Sequence, residues 1–305
     1  MTRSQINPAI GIDLGTVNCV IGVYRNGNVE IVLNQKGTKS TPSYVGYDEL
    51  GNMKAVGHAA KLNSCDNPEN TIYDAKRVIG RTVFDKDFEQ DKKCWPFTLV
   101  DDSNEERCYK YKVHDKLLLP EDISTELLVE CRRQAEAFLK CPVSKAVITV
   151  PAYFTDDQKR ATINAGKQAN LEVLTIINEP TAAGIAYGWQ KLCEKPETVL
   201  IFDLGGGTFD VAIVNISSEN IDVVAFDGDT HLGGNDVDVE LMKHCADQFQ
   251  ASTNINLFGM AEYSKTKEEK LIAKRNLQRL HEACEACKRD LSFLPMQTIN
   301  VESIA

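Results

Sequence analysis

The chain has 305 residues, 43% hydrophobic and 26% charged, with a formal net charge of −10. This length allows about two domains with sizeable cores, and the acidic balance, with scattered Lys and Arg, excludes a general nucleic-acid or membrane-surface binder, which carries a basic footprint. The first ten residues hold no apolar core long enough for a secretory signal and no run approaches a membrane span, so the ten irregularly spaced cysteines read as reduced cytosolic thiols.

Residues 9–23 are predicted as two apolar strands joined by the turn Asp13-Leu14-Gly15-Thr16, with a third strand at 29–33 after Asn26-Gly27. Residues 36–118 are mixed and polar. They contain the compact basic run Asp74-Ala75-Lys76-Arg77-Val78-Ile79-Gly80-Arg81, which reads equally as a solvated helix end or as a Lys or Arg reaching a cleft. The period of Ile123, Leu127, Leu128, Cys131, Ala135, Phe138 and Leu139 predicts an amphipathic helix over 123–139. A short buried strand at 146–150 follows. Thr155 with Gln158 then forms a capping box for a helix to about Asn170, and 173–177 is the next strand. This alternation predicts a parallel portion after the antiparallel meander. At that strand's carboxyl end stands Asn178-Glu179-Pro180, with Pro180 suited to a helix start. Glu179 either complements the helix dipole or points into a ligand cleft at the strand ends.

Residues 199–214, V-L-I-F-D-L-G-G-G-T-F-D-V-A-I-V, set two apolar strands around Gly205, Gly206 and Gly207. These glycines can take positive φ and let backbone N–H groups approach an anion. Asp203 and Asp210 flank the turn, and a carboxylate beside phosphates makes sense when Mg²⁺ lies between them. The plainer alternative is a hairpin with a flexible turn, for which a two-residue Asn-Gly suffices. Asp13 and Asp203 are equivalent positions in two hairpins, and 221–226 supplies the matching third strand. The sequence therefore reads as an internal duplication whose two facing turns make a polyphosphate cleft. Gly233 and Gly234 precede a helix over 236–249, as a second anion turn or a hinge. A long charged helix over 267–292 puts Glu285, Lys288, Arg289 and Ser292 on one face, which on its own reads as an exposed charge ladder. Its Cys284 and Cys287 form a lone CxxC with no second pair for a metal site. Alternation over 297–302 predicts a final strand.

The stretches G-I-D-L-G-T (11–16), D-A-K-R-V-I-G-R (74–81), A-V-I-T-V-P-A-Y-F (146–154), I-I-N-E-P-T-A-A (176–183), I-F-D-L-G-G-G-T-F-D (201–210), G-D-T-H-L-G-G (228–234) and E-A-C-K-R-D-L-S (285–292) closely resemble the ATPase domain of the seventy-kilodalton heat-shock chaperones, within the actin-like superfamily. The resemblance implies an α/β, actin-like (ribonuclease H-like), two-lobed ATPase fold with an incomplete second lobe. Lobe I would be 1–190, with core 1–42 and 119–190 and a peripheral subdomain 43–118. Lobe II would be 191–305, with core strands 197–232 and a peripheral helical subdomain 233–305. It also implies roles: Asp13 and Asp203 as carboxylates holding hydrated Mg²⁺, Asp210 as a monovalent-cation (K⁺) ligand, and Lys76 reaching the γ-phosphate and attacking water. Glu179 would be the carboxylate near that water. Gly15, Thr16, Gly205, Gly206, Gly207 and Thr208 would form the phosphate loops, with Gly233 and Gly234 as a further nucleotide turn. Glu285, Lys288, Arg289 and Ser292 would hold ribose and adenine. By the same resemblance the chain binds ATP and ADP as a stress-response chaperone module serving protein folding. J-domain and nucleotide-exchange co-chaperones would be its partners, and nucleic acid and membranes would not. Its place would be the cytoplasm, with the nucleus second.

The chain departs from the family at Val17 and Asn18, where a Thr and an aromatic are usual, and at Asn235, where Glu is usual; its 250–270 region is also longer. The family's second lobe continues beyond residue 305 with a G-G-S-T-R-type segment, and a peptide-binding domain lies beyond that. The expected consequences are an apolar edge on the strand ending at Asp203 and the loss of one wall of the adenine pocket, with no client-peptide groove. Two other readings follow from these departures: a non-catalytic nucleotide or co-chaperone interaction module, and an unstable truncated product. A sugar kinase is disfavoured, because no segment resembles a sugar-binding insert.

Overall fold

Strand β1 (Ala9–Leu14) alternates strictly, with Ile10, Ile12 and Leu14 buried and the residues between them exposed. A strand's period of two forces this choice: packing the isoleucines inward leaves Asp13 on the open face. The computed structural model describes residues 8–85, 91–102, 108–191, 195–217 and 220–304, so the first seven residues, where no secretory signal is expected, and Cys193 lie outside the described residues. After β1 come β2 (Asn18–Arg25), β3 (Asn28–Ile31), β4 (Ser40–Pro42), β5 (Val45–Tyr47), β6 (Met53–Val56), α1 (His58–Leu62), β7 (Thr71–Ile72) and α2 (Ala75–Val78). Next are β8 (Thr98–Asp102), β9 (Cys108–Val113), β10 (Lys116–Leu118), α3 (Pro120–Leu139), β11 (Lys145–Val150), α4 (Asp156–Gln168), β12 (Glu172–Asn178) and α5 (Glu179–Lys191). The chain continues through β13 (Glu197–Leu204), β14 (Phe209–Ile216), β15 (Ile221–Asp229), α6 (Gly234–Thr253), α7 (Met260–Tyr263) and α8 (Lys267–Asp290).

The chain divides into two compact units, residues 1–43, 73–81 and 119–232 forming the first and 44–72, 82–118 and 233–305 the second. In the first unit one sheet has the order β12-β11-β1-β2-β3, with β4 also on β2. β1 pairs parallel with β11 and β11 parallel with β12, while β1–β2 and β2–β3 are antiparallel. This is the meander followed by a parallel portion that the sequence predicts. The Asn26-Gly27 turn takes positive φ at both residues, as a two-residue hairpin requires. Ile123, Leu127, Leu128, Cys131 and Ala135 of α3 are buried, and Thr155 and Gln158 form the expected capping box on α4. A second sheet in this unit has the order β13-β14-β15, all antiparallel. Its Ala212, Val214 and Ile216 are buried with Tyr187 of α5 against them. Among the described residues β13 has a partner on one side only, and its Leu200, Phe202 and Leu204 are exposed.

In the second unit Met242, Ala246, Leu257, Leu277, Leu280 and Cys284 form a core along α6 and α8. Cys245 packs against this core beside Cys284, and burial pushes the Cys284 thiol up to about 12, so it packs as a neutral group. The strand predicted over 297–302 does not form. Ile299, Val301 and Ile304 pack on the helical core instead. The carbonyls of this segment are taken by side chains: Asn276 donates to the Ile304 carbonyl at 2.6 Å, and Arg279 to those of Glu302 and Ser303. The alternation is real, but it serves a helix face and not a ladder.

Candidate functional site

The acidic positions flagged by the sequence converge in the first unit. Asp203 and Asp210 are direct partners across the β13–β14 ladder. Asp13 stands near the end of β1 on its open face and accepts from the Thr149 hydroxyl at 3.2 Å. Asp210 is only 2% exposed and accepts from the backbone N–H of Ala152 at 3.0 Å. Burial first, then the charges of Asp210 and Asp13, raises the Asp203 carboxyl above its usual range. Burial also raises Asp210, against the pull of the Ala152 N–H and Lys76. Such a crowd of carboxylates is costly when ionised without a cation, and all-oxygen donors suit a hard ion.

The basic run 74–81 is turned inward, which excludes the solvated-helix-end reading. Lys76 lies in the single turn of α2, and its Nζ donates to Glu179 Oε1 at 2.6 Å, with side chains 8% and 13% exposed. Glu179 opens α5 directly after β12, so the strand end delivers its carboxylate. Burial disfavours the Lys76 ammonium, but Glu179 and Asp13 outweigh it and its pKa is raised. Burial raises Glu179 in turn, with Lys76 opposing. Arg77, buried beside it, donates to the Gly207 carbonyl at 3.4 Å.

The two Gly-containing turns meet. A Cβ on Gly206 would collide with the Val17 side chain, and one on Gly207 would lie 2.7 Å from Thr16 Cγ2. Gly205 closes the second turn through its N–H to the Thr208 carbonyl at 2.9 Å. None of Gly205, Gly206 and Gly207 takes the positive φ open to a glycine. Close approach of the Asp13–Val17 turn is what excludes a side chain there. Gly206→Ala should therefore lower the thermal midpoint by several degrees, about 1–3 kcal/mol from overpacking. Thermal denaturation of the variant checks this, and an unchanged midpoint would mean that the turns are not held in contact.

The remaining flagged residues lie in the second unit. Gly233 caps α6 in extended conformation, and Gly234 begins the helix. Glu285 takes the Lys61 ammonium on both oxygens, at 2.6 and 2.9 Å, and its carboxyl is lowered, the Lys61 contact prevailing over burial. Lys288 pairs with Asp238 at 2.6 Å. Arg289 and Ser292 are exposed, Ser292 in the turn after the helix. Sequence reasoning misses Lys61 and Asp238, whose partners are 224 and 50 residues away; no local pattern signals either.

The profile of the family described as Hsp70 protein matches residues 9–305. The chain belongs to the Hsp70 family. The "Heat shock 70 kDa protein" of Emericella nidulans is 44% identical over 298 residues, 97% of this chain and 44% of that protein. "Putative heat shock 70 kDa protein 7" of Homo sapiens is 43% identical over 299 residues, 97% of this chain and 77% of that protein. A ribosome-associated molecular chaperone of Zygosaccharomyces rouxii is 42% identical over 306 residues, 100% of this chain and 47% of that protein. The chain thus spans under half the length of most of these relatives. It corresponds to the N-terminal ATPase region of Hsp70, and its mixed α/β architecture is that of the actin-like Hsp70 ATPase domain. No helix among the described residues is long and apolar enough to cross a membrane.

Proposed function

We propose that this Hsp70-family chain binds Mg-ATP and hydrolyses it slowly to ADP and phosphate. The observation that carries the reading is the convergence in one unit of Asp13, Asp203, Asp210 and the buried Lys76–Glu179 pair beside two touching Gly turns. The donor set fits Mg²⁺, with Asp13 and Asp203 holding the hydrated ion and Asp210 a monovalent cation such as K⁺. The ion, when bound, neutralises phosphate charge and orients the oxygens of the transferred group. The N–H groups of Gly15–Thr16 and Gly206–Gly207, with the Thr16 and Thr208 hydroxyls, cradle phosphate oxygens, while Gly205 holds the turn closed. Lys76 stabilises charge on the terminal phosphate. Glu179 holds Lys76 in place and accepts a hydrogen bond from the attacking water. Glu285, Lys288, Arg289, Ser292 and the Gly233-Gly234 turn take the nucleoside.

The lobe division near residue 190, J-domain and nucleotide-exchange partners, a role in protein folding under stress, and a cytoplasmic or nuclear place belong to the same proposal. A second reading, nucleotide binding without turnover, is favoured by one observation: at the first turn a Val17 side chain, with no hydroxyl, is packed against Gly206. Single-turnover incubation with labelled ATP separates the two. Conversion to ADP and phosphate that requires Mg²⁺ supports the first; ATP recovered intact, though bound, supports the second. Affinity for Mg-ADP should fall as pH falls through the raised values of Asp203 and Asp210, because protons then compete with the ion. Titrations carried from neutral pH down into acid check this, and an affinity independent of pH throughout would remove these carboxylates from the site.

A further inference from the structure

In the second unit, the start of α6 is tied to the last turns of α8 by one buried ion pair. Asp238 is 1% exposed, and its Oδ2 accepts from Lys288 Nζ at 2.6 Å. The same ammonium donates to the Gly234 carbonyl at 2.9 Å. Two of its three N–H groups are thereby directed inward, while 27% of the side chain keeps solvent access. The other carboxylate oxygen, Oδ1, is buried without a hydrogen-bond partner. Burial raises the Asp238 carboxyl against the pull of Lys288, with Glu285 adding to the rise and Lys61 opposing it.

As a device for stability this arrangement is poor. A half-satisfied buried carboxylate is costly, and an apolar pair of similar volume often serves a core better. The ammonium also sits by the first carbonyl of α6, at the positive end of that helix, where a cation is disfavoured. What the pair does achieve is a fixed ammonium on a side chain that otherwise has four rotatable carbons.

We propose that Asp238 is a positioning residue for nucleotide binding: it locks Lys288 in one rotamer, with the remaining N–H presented to the nucleoside. This rests on the nucleotide reading above. A pre-placed ammonium gives affinity because its ordering entropy is spent on folding and not on binding.

The test is calorimetric titration of Mg-ADP and of Mg-pyrophosphate into the parent, Asp238→Asn, Lys288→Met and the double variant, each shown folded by circular dichroism. Asp238→Asn should weaken Mg-ADP about tenfold, as loss of an orienting partner does, and leave Mg-pyrophosphate unchanged. A general loosening of the fold would weaken both ligands. In the Lys288→Met background Asp238→Asn should have no further effect, since the residue acts through the lysine. If Asp238→Asn does not fold, Asp238→Glu keeps the charge, shifts the ammonium, and should give the same selective loss. An Mg-ADP affinity within twofold of the parent, an equal loss for Mg-pyrophosphate, or an undiminished effect in the Lys288→Met background would overturn the inference alone. A parent that binds no Mg-ADP would overturn it together with the nucleotide reading.

Discussion

Lys76→Met should cut ATP turnover by about 10²–10³ and also destabilise the protein, and the two effects should separate in a double variant. Lys76 stands 2.6 Å from Glu179 with both side chains largely buried. Removing the ammonium leaves a buried carboxylate uncompensated, which costs about 3–5 kcal/mol where the charge persists. Glu179 is already raised by burial, and without Lys76 it rises further and takes up a proton. The loss of stability should therefore be small at acidic pH and grow as pH rises through the carboxyl's folded value, because the folded state then has to release a proton that the unfolded state has already lost. Adding Glu179→Gln removes the buried charge and should restore most of the thermal midpoint. Turnover should stay reduced by about 10²–10³ in both the single and double variants, because the group proposed to face the terminal phosphate is gone. Thermal denaturation across pH, paired with single-turnover kinetics, reads both quantities. If Glu179→Gln restores turnover along with stability, Lys76 is a structural cation only.

Asp203→Asn should act in the opposite direction on the free protein. Asp203 carries repulsion from Asp210, its partner across the ladder, and from Asp13. Its raised folded value means that the folded protein holds a proton over a pH range in which the unfolded chain, near 3.8, has lost it. Its contribution to stability is thus lost as pH rises through that window and stays lost above it. The amide escapes this, so the variant should melt about 2–4 °C above the parent at neutral pH, with the difference vanishing in acid. The same substitution should weaken Mg-ADP by about tenfold or more, since one or two carboxylates hold such an ion. A variant more stable than its parent yet poorer in Mg-ADP binding is the mark of a charge cluster kept for a cation. If the variant melts below the parent at neutral pH, the carboxylate is serving the fold.

Much of this site is legible in the order of residues because strands and turns are local. Period-two alternation fixes the face on which Asp13 must stand, and the same pattern repeated at Asp203 reveals the duplicated hairpin. Glu179 is legible because it falls at a strand end just before a helix-starting proline. The run 74–81 is not decidable from sequence: a single helical turn bears no periodic signature, and only tertiary packing shows Lys76 and Arg77 facing inward. The Gly205–Gly207 turn reads as one free to take positive φ, yet what excludes side chains at Gly206 and Gly207 is the neighbouring Val17 and Thr16, far away in sequence. Residues 297–302 show the converse error, since alternation cannot say whether the apolar side will meet a strand or a helix. Lys61 and Asp238 are invisible for the plainest reason: a buried ion pair across long sequence separation leaves no local trace.

Isothermal titration of Mg-ADP into the folded, monodisperse protein, repeated with ADP in excess chelator, tests the metal-and-phosphate reading most directly. Saturable binding to one site is expected, weakening at least about tenfold when Mg²⁺ is withdrawn, because the carboxylates then repel the phosphates. No binding at millimolar Mg-ADP, or an affinity that the chelator leaves unchanged, would contradict it.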